Sequence, residues 1–152
     1  MRRPQYFFIA CVCALMAVLA AVPAMARHAP RAKGDAREAV ALAPADAAIL
    51  LAGMRTYLET IQGIVAVMAE NKSARVPEIA AKSGVKLLQN VDPFSGLNLP
   101  LGFTMLSLDT HDKFDKLAEA VRNGASRSEV LTSLSDIMGN CVSCHAAYRL
   151  AP

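Results

Sequence analysis

Near its end the chain reads Cys141-Val142-Ser143-Cys144-His145, two thiols three residues apart with an imidazole directly after the second. Three chemistries use such a group. In an exported protein, C-x-x-C-H predicts covalent attachment of haem c: the two thiols add across two vinyl groups at one porphyrin edge, and the neighbouring imidazole reaches the iron. A three-residue step on a helix sets both thiols on one side, as that edge requires. A thioredoxin-like dithiol needs a strand-rich context that this sequence does not offer, and a zinc site needs two further well-spaced ligands. One covalent haem is therefore the expected cofactor, with Cys141 and Cys144 as its thioethers and His145 as the proximal iron ligand.

Compartment decides whether that chemistry is available. Arg2 and Arg3 precede an apolar run over residues 6–22, followed by Pro23 and the small-residue site Ala24-Met25-Ala26. This is the pattern of a secretory signal peptide, residues 1–26, cleaved after Ala26 to leave Arg27 as the mature start and the protein in the periplasm. A membrane anchor would want a somewhat longer run and no such site, so no membrane association is expected after cleavage. Cys11 and Cys13 would leave with the signal, and of the four cysteines only Cys141 and Cys144 would remain.

About 126 residues would follow, enough for one domain with one core. Loss of Arg2 and Arg3 takes the net charge from +3 to +1, and there is no tryptophan. A near-neutral chain with so few aromatic rings has neither the field nor the stacking surface for a nucleic-acid partner.

Residues 27–45 are rich in Ala, Pro and charge without periodicity and read as a flexible leader, with His28 a solvated tail residue. From Ala47 the pattern is helical, and Leu50, Met54, Leu58, Ile61, Val65 and Met68 form the expected buried stripe of a long first helix. A weaker second helix is predicted over about residues 77–90, with Pro77 suited to its first turn, before a loop marked by Pro93, Gly96 and Pro100. The third helix is predicted over about residues 101–123, with Phe103, Leu106, Thr110, Phe114, Leu117 and Val121 inward and Gly124 as its stop. Ser126 and Glu129 fit a capping box for a fourth, whose stripe of Val130, Leu134, Met138, Cys141, His145 and Tyr148 carries the motif. The expected fold is all-α: an antiparallel four-helix bundle, residues 46–152, with covalent haem at its C-terminal end.

A four-helix domain ending in Cys141-Val142-Ser143-Cys144-His145-Ala146-Ala147-Tyr148-Arg149 resembles the class II c-type cytochromes, the cytochrome c-prime group. The likeness covers about residues 46–150, and its specific part is the motif itself. In that family the first helix forms the distal side of the haem. A methionine there completes six-coordinate iron, and an apolar residue leaves it five-coordinate. The resemblance thus implies Met54 as the distal iron ligand, on the end of an antiparallel first helix that would meet the last turn of helix four. Met68 would lie about 20 Å farther along at 1.5 Å rise per residue. Met138 shares the helix of His145 and can only line the proximal side, and Met105 is expected in the core.

Tyr148 and Arg149 lie three and four residues after His145 and are both expected on the haem side of helix four, with Tyr148 packed on the porphyrin. The resemblance implies that Arg149 pairs a haem propionate or lies beside the proximal imidazole. An exposed arginine satisfying the last helical carbonyls is the alternative for Arg149. His111, one step off the apolar stripe, is expected at a wet or boundary position, as are Asp109 and Asp112. These expectations define a periplasmic monohaem electron carrier rather than an enzyme, passing single electrons between redox partner proteins. The alternative is a five-coordinate haem protein that binds NO or CO as a scavenger or sensor. Bundles of this family often pair through helices, which allows a homodimer.

Overall fold

The computed structural model describes residues 34–86 and 99–151 of the 152-residue chain. Arg37–Pro152 form one compact unit, and of the other, Met1–Ala36, the described residues 34–36 are exposed and without regular structure. The fold is all-α in character. Its elements are strand β1 (Glu38–Val40), helices α1 (Pro44–Ala69), α2 (Val76–Ala80), α3 (Leu101–Arg122) and α4 (Arg127–Ala147), and strand β2 (Tyr148–Leu150).

Helix α1 starts at Pro44, three residues before the periodicity predicts, because a proline in the first turn sacrifices no intrahelical hydrogen bond. It ends where Asn71 takes a left-handed φ of 57°, and Arg127, at the start of α4, donates to the Met68 carbonyl at 2.6 Å. The stripe is not the one expected. Leu50 and Met68 are buried, but Leu58 is 67% and Val65 49% exposed, and Tyr57, Thr60, Ile64 and Val67 face the core instead. The series 51-58-65 and 50-57-64 are both apolar enough to bury, so periodicity permits two phases and the neighbouring helices select one.

The described part of the predicted second helix is interrupted, with helix over Val76–Ala80 and again only at Lys86. Val76–Ala80 is flanked by 3-10 turns at Ser73–Arg75 and Ala81–Ser83, and Gly84 then leaves the helix in extended backbone; residues 87–90 lie outside the described residues. This segment is held by polar clamps. The Thr60 and Ser83 hydroxyls share a hydrogen bond of 2.8 Å, and Asp115 accepts from the Val85 amide at 2.9 Å.

Helices α3 and α4 follow the sequence closely. At the end of α3, Gly124 has φ 90°, the Ala125 amide reaches Ala120 O at 2.9 Å and the Gly124 amide reaches Val121 O at 3.1 Å. These are the two bonds of a Schellman turn, which needs a residue at ease with positive φ. The capping box that opens α4 is complete: Glu129 N donates to the Ser126 hydroxyl at 3.3 Å and Ser126 N to the Glu129 carboxylate at 2.7 Å. The main core joins Tyr57, Ile64, Val67 and Met68 of α1 to Val76 and Ile79, to Phe114 and Leu117, and to Val130, Leu134 and Ile137. Burying each of the larger aliphatic and aromatic side chains stabilises the fold by about 1.5–3 kcal/mol. Met138 is exposed and Ile137 takes its place inside; Met105, expected in the core, is 58% exposed.

No strand is expected from the residue pattern, yet β1 pairs in parallel with β2, Glu38 opposite Tyr148 and Val40 opposite Leu150. The C-terminal part of the expected leader is therefore integrated into the unit. Val40 is buried in a second cluster with Leu50 and Phe103, against which Tyr148, Leu150 and Cys144 pack. Among the described residues no helix is long and apolar enough to cross a membrane.

Candidate haem-binding groove

The last two turns of α4 carry Cys141 and Cys144 on one face, both half-buried, with His145 exposed at the next position. The register of those turns is fixed from below by Asn140. Its amide group donates to Asp109 at 2.7 Å and to the Thr110 hydroxyl at 3.1 Å, while its carbonyl oxygen accepts from Lys113 at 2.9 Å. Lys113 also pairs with Asp109 at 2.7 Å, and these contacts hold the Asp109 carboxyl below its ordinary range, Lys113 first and Asn140 second. Asp109 is thus tied to the motif and is more than a solvated charge.

Two adjoining hollows lie above this platform. The inner one is small, about 40 Å³, and is bounded by Met54, Tyr57, Phe103, Leu106, Ser107, Cys141 and Cys144 among others. The outer is a groove of about 330 Å³ between Leu50, Leu51, Met54, Phe103, Cys144, His145 and Tyr148, with Arg37 and Arg149 contributing to its wall. Met54, Phe103, Cys144 and His145 border both. Met54 is half-buried and packs against both hydrophobic clusters. Met68 borders neither hollow and is buried in the main core. Residues near the start of α1 and the end of α4 thus border the same hollows.

Tyr148 and Arg149 reach the groove by a different route from the one predicted. Helix α4 stops at Ala147, and both residues belong to β2, because the chain turns extended to pair with β1. The Tyr148 ring meets Phe103 edge-on, with centroids 5.5 Å apart, and its hydroxyl lies where a Cβ on Gly102 would come within 2.5 Å. Arg149 borders the groove and donates to the Leu150 carbonyl at 3.4 Å.

Burial pushes the thiols of Cys141 and Cys144 up from their ordinary value, and the proximity of Cys141 raises Cys144 further. Both are therefore neutral thiols near pH 7, without the thiolate character of a redox-active dithiol. Among the described residues there is no group of three or more His, Cys, Asp or Glu side chains placed to hold a metal ion.

His111 is the residue that sequence reasoning placed wrongly. It is 2% exposed, held between the Tyr57 hydroxyl, 2.6 Å from Nε2, and the Ser83 carbonyl, 2.8 Å from Nδ1. Asn140 was not singled out, although a lone amide beside C-x-x-C-H is the only sequence signal it carries. A scan against protein-family models and searches of curated proteins and solved structures find no match to this chain.

Proposed function

We propose that the chain is a periplasmic monohaem c-type cytochrome of the class II kind, an antiparallel four-helix bundle that carries single electrons between redox proteins and is not an enzyme. The observation that carries this reading is convergence: Met54, 87 or more residues away in sequence, lies with Cys141, Cys144 and His145 around one apolar groove. The donor set fits haem c. Cys141 and Cys144 would each add S–H across a vinyl group, which uses the neutral thiols found here and releases nothing. His145 and Met54 supply the nitrogen and sulfur that would bind the iron, and Tyr148 and Arg149 border the groove for the ring and its carboxylates.

Bound haem would supply a one-electron iron couple, and thioether ligation favours its reduced form. The chain contributes enclosure. Leu50, Leu51 and Phe103 give the groove an apolar wall, Leu106 lines the inner hollow, and Asn140 holds the thiol-bearing turns in register. Export with cleavage after Ala26 belongs to the same reading, because the thioether bonds are made outside the cytosol.

The test is an absorption spectrum of the purified protein, oxidised, reduced and with CO, followed by acid-acetone extraction. The expected result is a low-spin haem spectrum, colour that stays with the protein, and slow or no CO binding. Extractable haem, or none, overturns the assignment. Rapid CO binding with a high-spin spectrum replaces the carrier by the gas-binding alternative. Mass spectrometry should find Arg27 as the first residue; an intact Met1 in a membrane fraction overturns export with cleavage.

A further inference from the structure

The contact between Tyr57 and His111 has a chemistry that electron carriage at the groove does not use. The Ser83 carbonyl can only accept, so His111 Nδ1, 2.8 Å away, carries the proton and donates. Nε2 is then a lone pair, and the Tyr57 hydroxyl, 2.6 Å away, donates to it. The pair is a phenol with its one proton aimed at a neutral base of fixed tautomer.

We propose that Tyr57 is a second one-electron redox site of this chain, with His111 as the built-in acceptor of its proton. Removing an electron from a phenol makes the remaining radical cation a strong acid, so the proton must leave with the electron. Tyr57 is 8% exposed, and the base in direct contact with its hydroxyl is His111. Transfer across the existing hydrogen bond needs no rearrangement. The electron goes to an outer-sphere, high-potential one-electron oxidant of the ruthenium(III) polypyridyl class, which is reduced to ruthenium(II), the O–H bond breaks, an N–H bond forms at Nε2, and the products are a neutral tyrosyl radical and an imidazolium. Both imidazolium N–H groups keep their present partners, the Tyr57 oxygen and the Ser83 carbonyl.

Burial holds His111 below its ordinary value, and the Ser83 carbonyl and Asp115, on the same helix and bonded to the Val85 amide two residues beyond Ser83, act the other way, in favour of its charged form. Phe114 stacks on the Tyr57 ring at 6.0 Å and 18°, shielding the radical from coupling. Burial, opposed by the nearby Ser107 hydroxyl and reinforced by Cys141 and Cys144, pushes the phenol up to about 12, so the resting pair is neutral and loaded. Tyr57 also borders the inner hollow with Cys141 and Cys144. On the cytochrome reading, it would hold an oxidising equivalent next to the haem; that use rests on the reading, whereas the redox activity of the pair does not.

The experiment generates tris-bipyridyl ruthenium(III) by a flash in a solution of the purified full-length protein and traps the product for electron paramagnetic resonance. Haem content is read from the absorption of the same sample, so a failure of the cytochrome assignment is seen separately. A neutral tyrosyl radical is expected in the wild type and in Tyr148→Phe, and not in Tyr57→Phe. Loss of the positioned base in His111→Phe should slow its formation roughly a hundredfold. Wild-type protein in heavy water should show an exchangeable deuteron coupled to the radical and slower formation, which tests the acceptor even where His111→Phe fails to fold. No radical in the wild type, or one that survives Tyr57→Phe, overturns the proposal. An unchanged rate in folded His111→Phe, or no solvent isotope effect, overturns the role of His111.

Discussion

The Arg37 guanidinium donates to the backbone carbonyl of His145 at 3.2 Å, joining the residue before β1 to the last residue of the C-x-x-C-H motif. The contact runs beside the β1–β2 pair, so the segment that precedes the first helix is fastened to the segment that follows the motif. Both chain ends of the unit thereby help to wall one groove.

The strand pair should matter more through Val40 than through Arg37. Arg37→Ala removes the exposed hydrogen bond to His145, a contact that contributes no more than about 1 kcal/mol. Val40→Ala empties a buried position against Leu50 and Phe103 and should cost about 2 kcal/mol. Urea denaturation followed by circular dichroism separates the two; equal effects would show that the cluster under β1 contributes little.

Asn140→Ala should destabilise by about 1–3 kcal/mol, because Thr110 loses its donor in a buried setting and Lys113 loses an acceptor. The Asp109 carboxyl should then titrate closer to its ordinary range, which carbon-detected NMR reads directly. An Asp109 that titrates as before would mean that Lys113 alone sets it.

Stability should fall as pH drops below the ordinary histidine value of 6.5. Burial holds the folded His111 below that value, against the Ser83 carbonyl and Asp115, which act the other way. Between the two values the unfolded chain binds more protons than the folded one. The stabilisation is therefore full above pH 6.5 and is lost toward the folded value, at no more than about 1.4 kcal/mol per pH unit. Denaturation midpoints of the wild type and His111→Gln, compared across pH 5 to 7.5, check this. Parallel curves would rule it out. Asp109 has the same sign in a lower window: its contribution is present above 3.8 and lost as pH falls through its depressed folded value.

Met54 and Met68 should separate by kind of effect. Met68→Ala truncates a buried core side chain and should cost about 2–5 kcal/mol while leaving the visible spectrum alone. On the proposed cytochrome reading, Met54→Ala should instead remove the weak long-wavelength band of a thioether on ferric iron, lower the reduction potential and open the iron to CO. A Met54→Ala protein with an unaltered spectrum would mean that Met54 only packs.

The sequence alone determined what short-range chemistry specifies. Ser126 and Glu129 meet within one helical turn, Gly124 is at ease in a turn that needs positive φ, and the spacing of Cys141 and Cys144 sets both thiols on one helical face whatever surrounds them. Those features require no partner from elsewhere in the chain.

Tertiary structure decided the rest, because the deciding groups are far away in sequence. Which of two apolar series on α1 turns inward depends on α3 and α4, so Leu58 and Val65 lie outside while Tyr57 and Ile64 lie inside. A histidine next to the apolar stripe reads as wet until Tyr57 and Ser83 arrive from 54 and 28 residues away to satisfy both ring nitrogens, after which burial costs little. Strands of three residues are too short to alternate visibly, and β1 exists only because β2 offers its backbone. The motif was legible because its spacing is local, and Met54 was set opposite it only through the family resemblance; Leu50 and Phe103 become their neighbours only when the chain has folded.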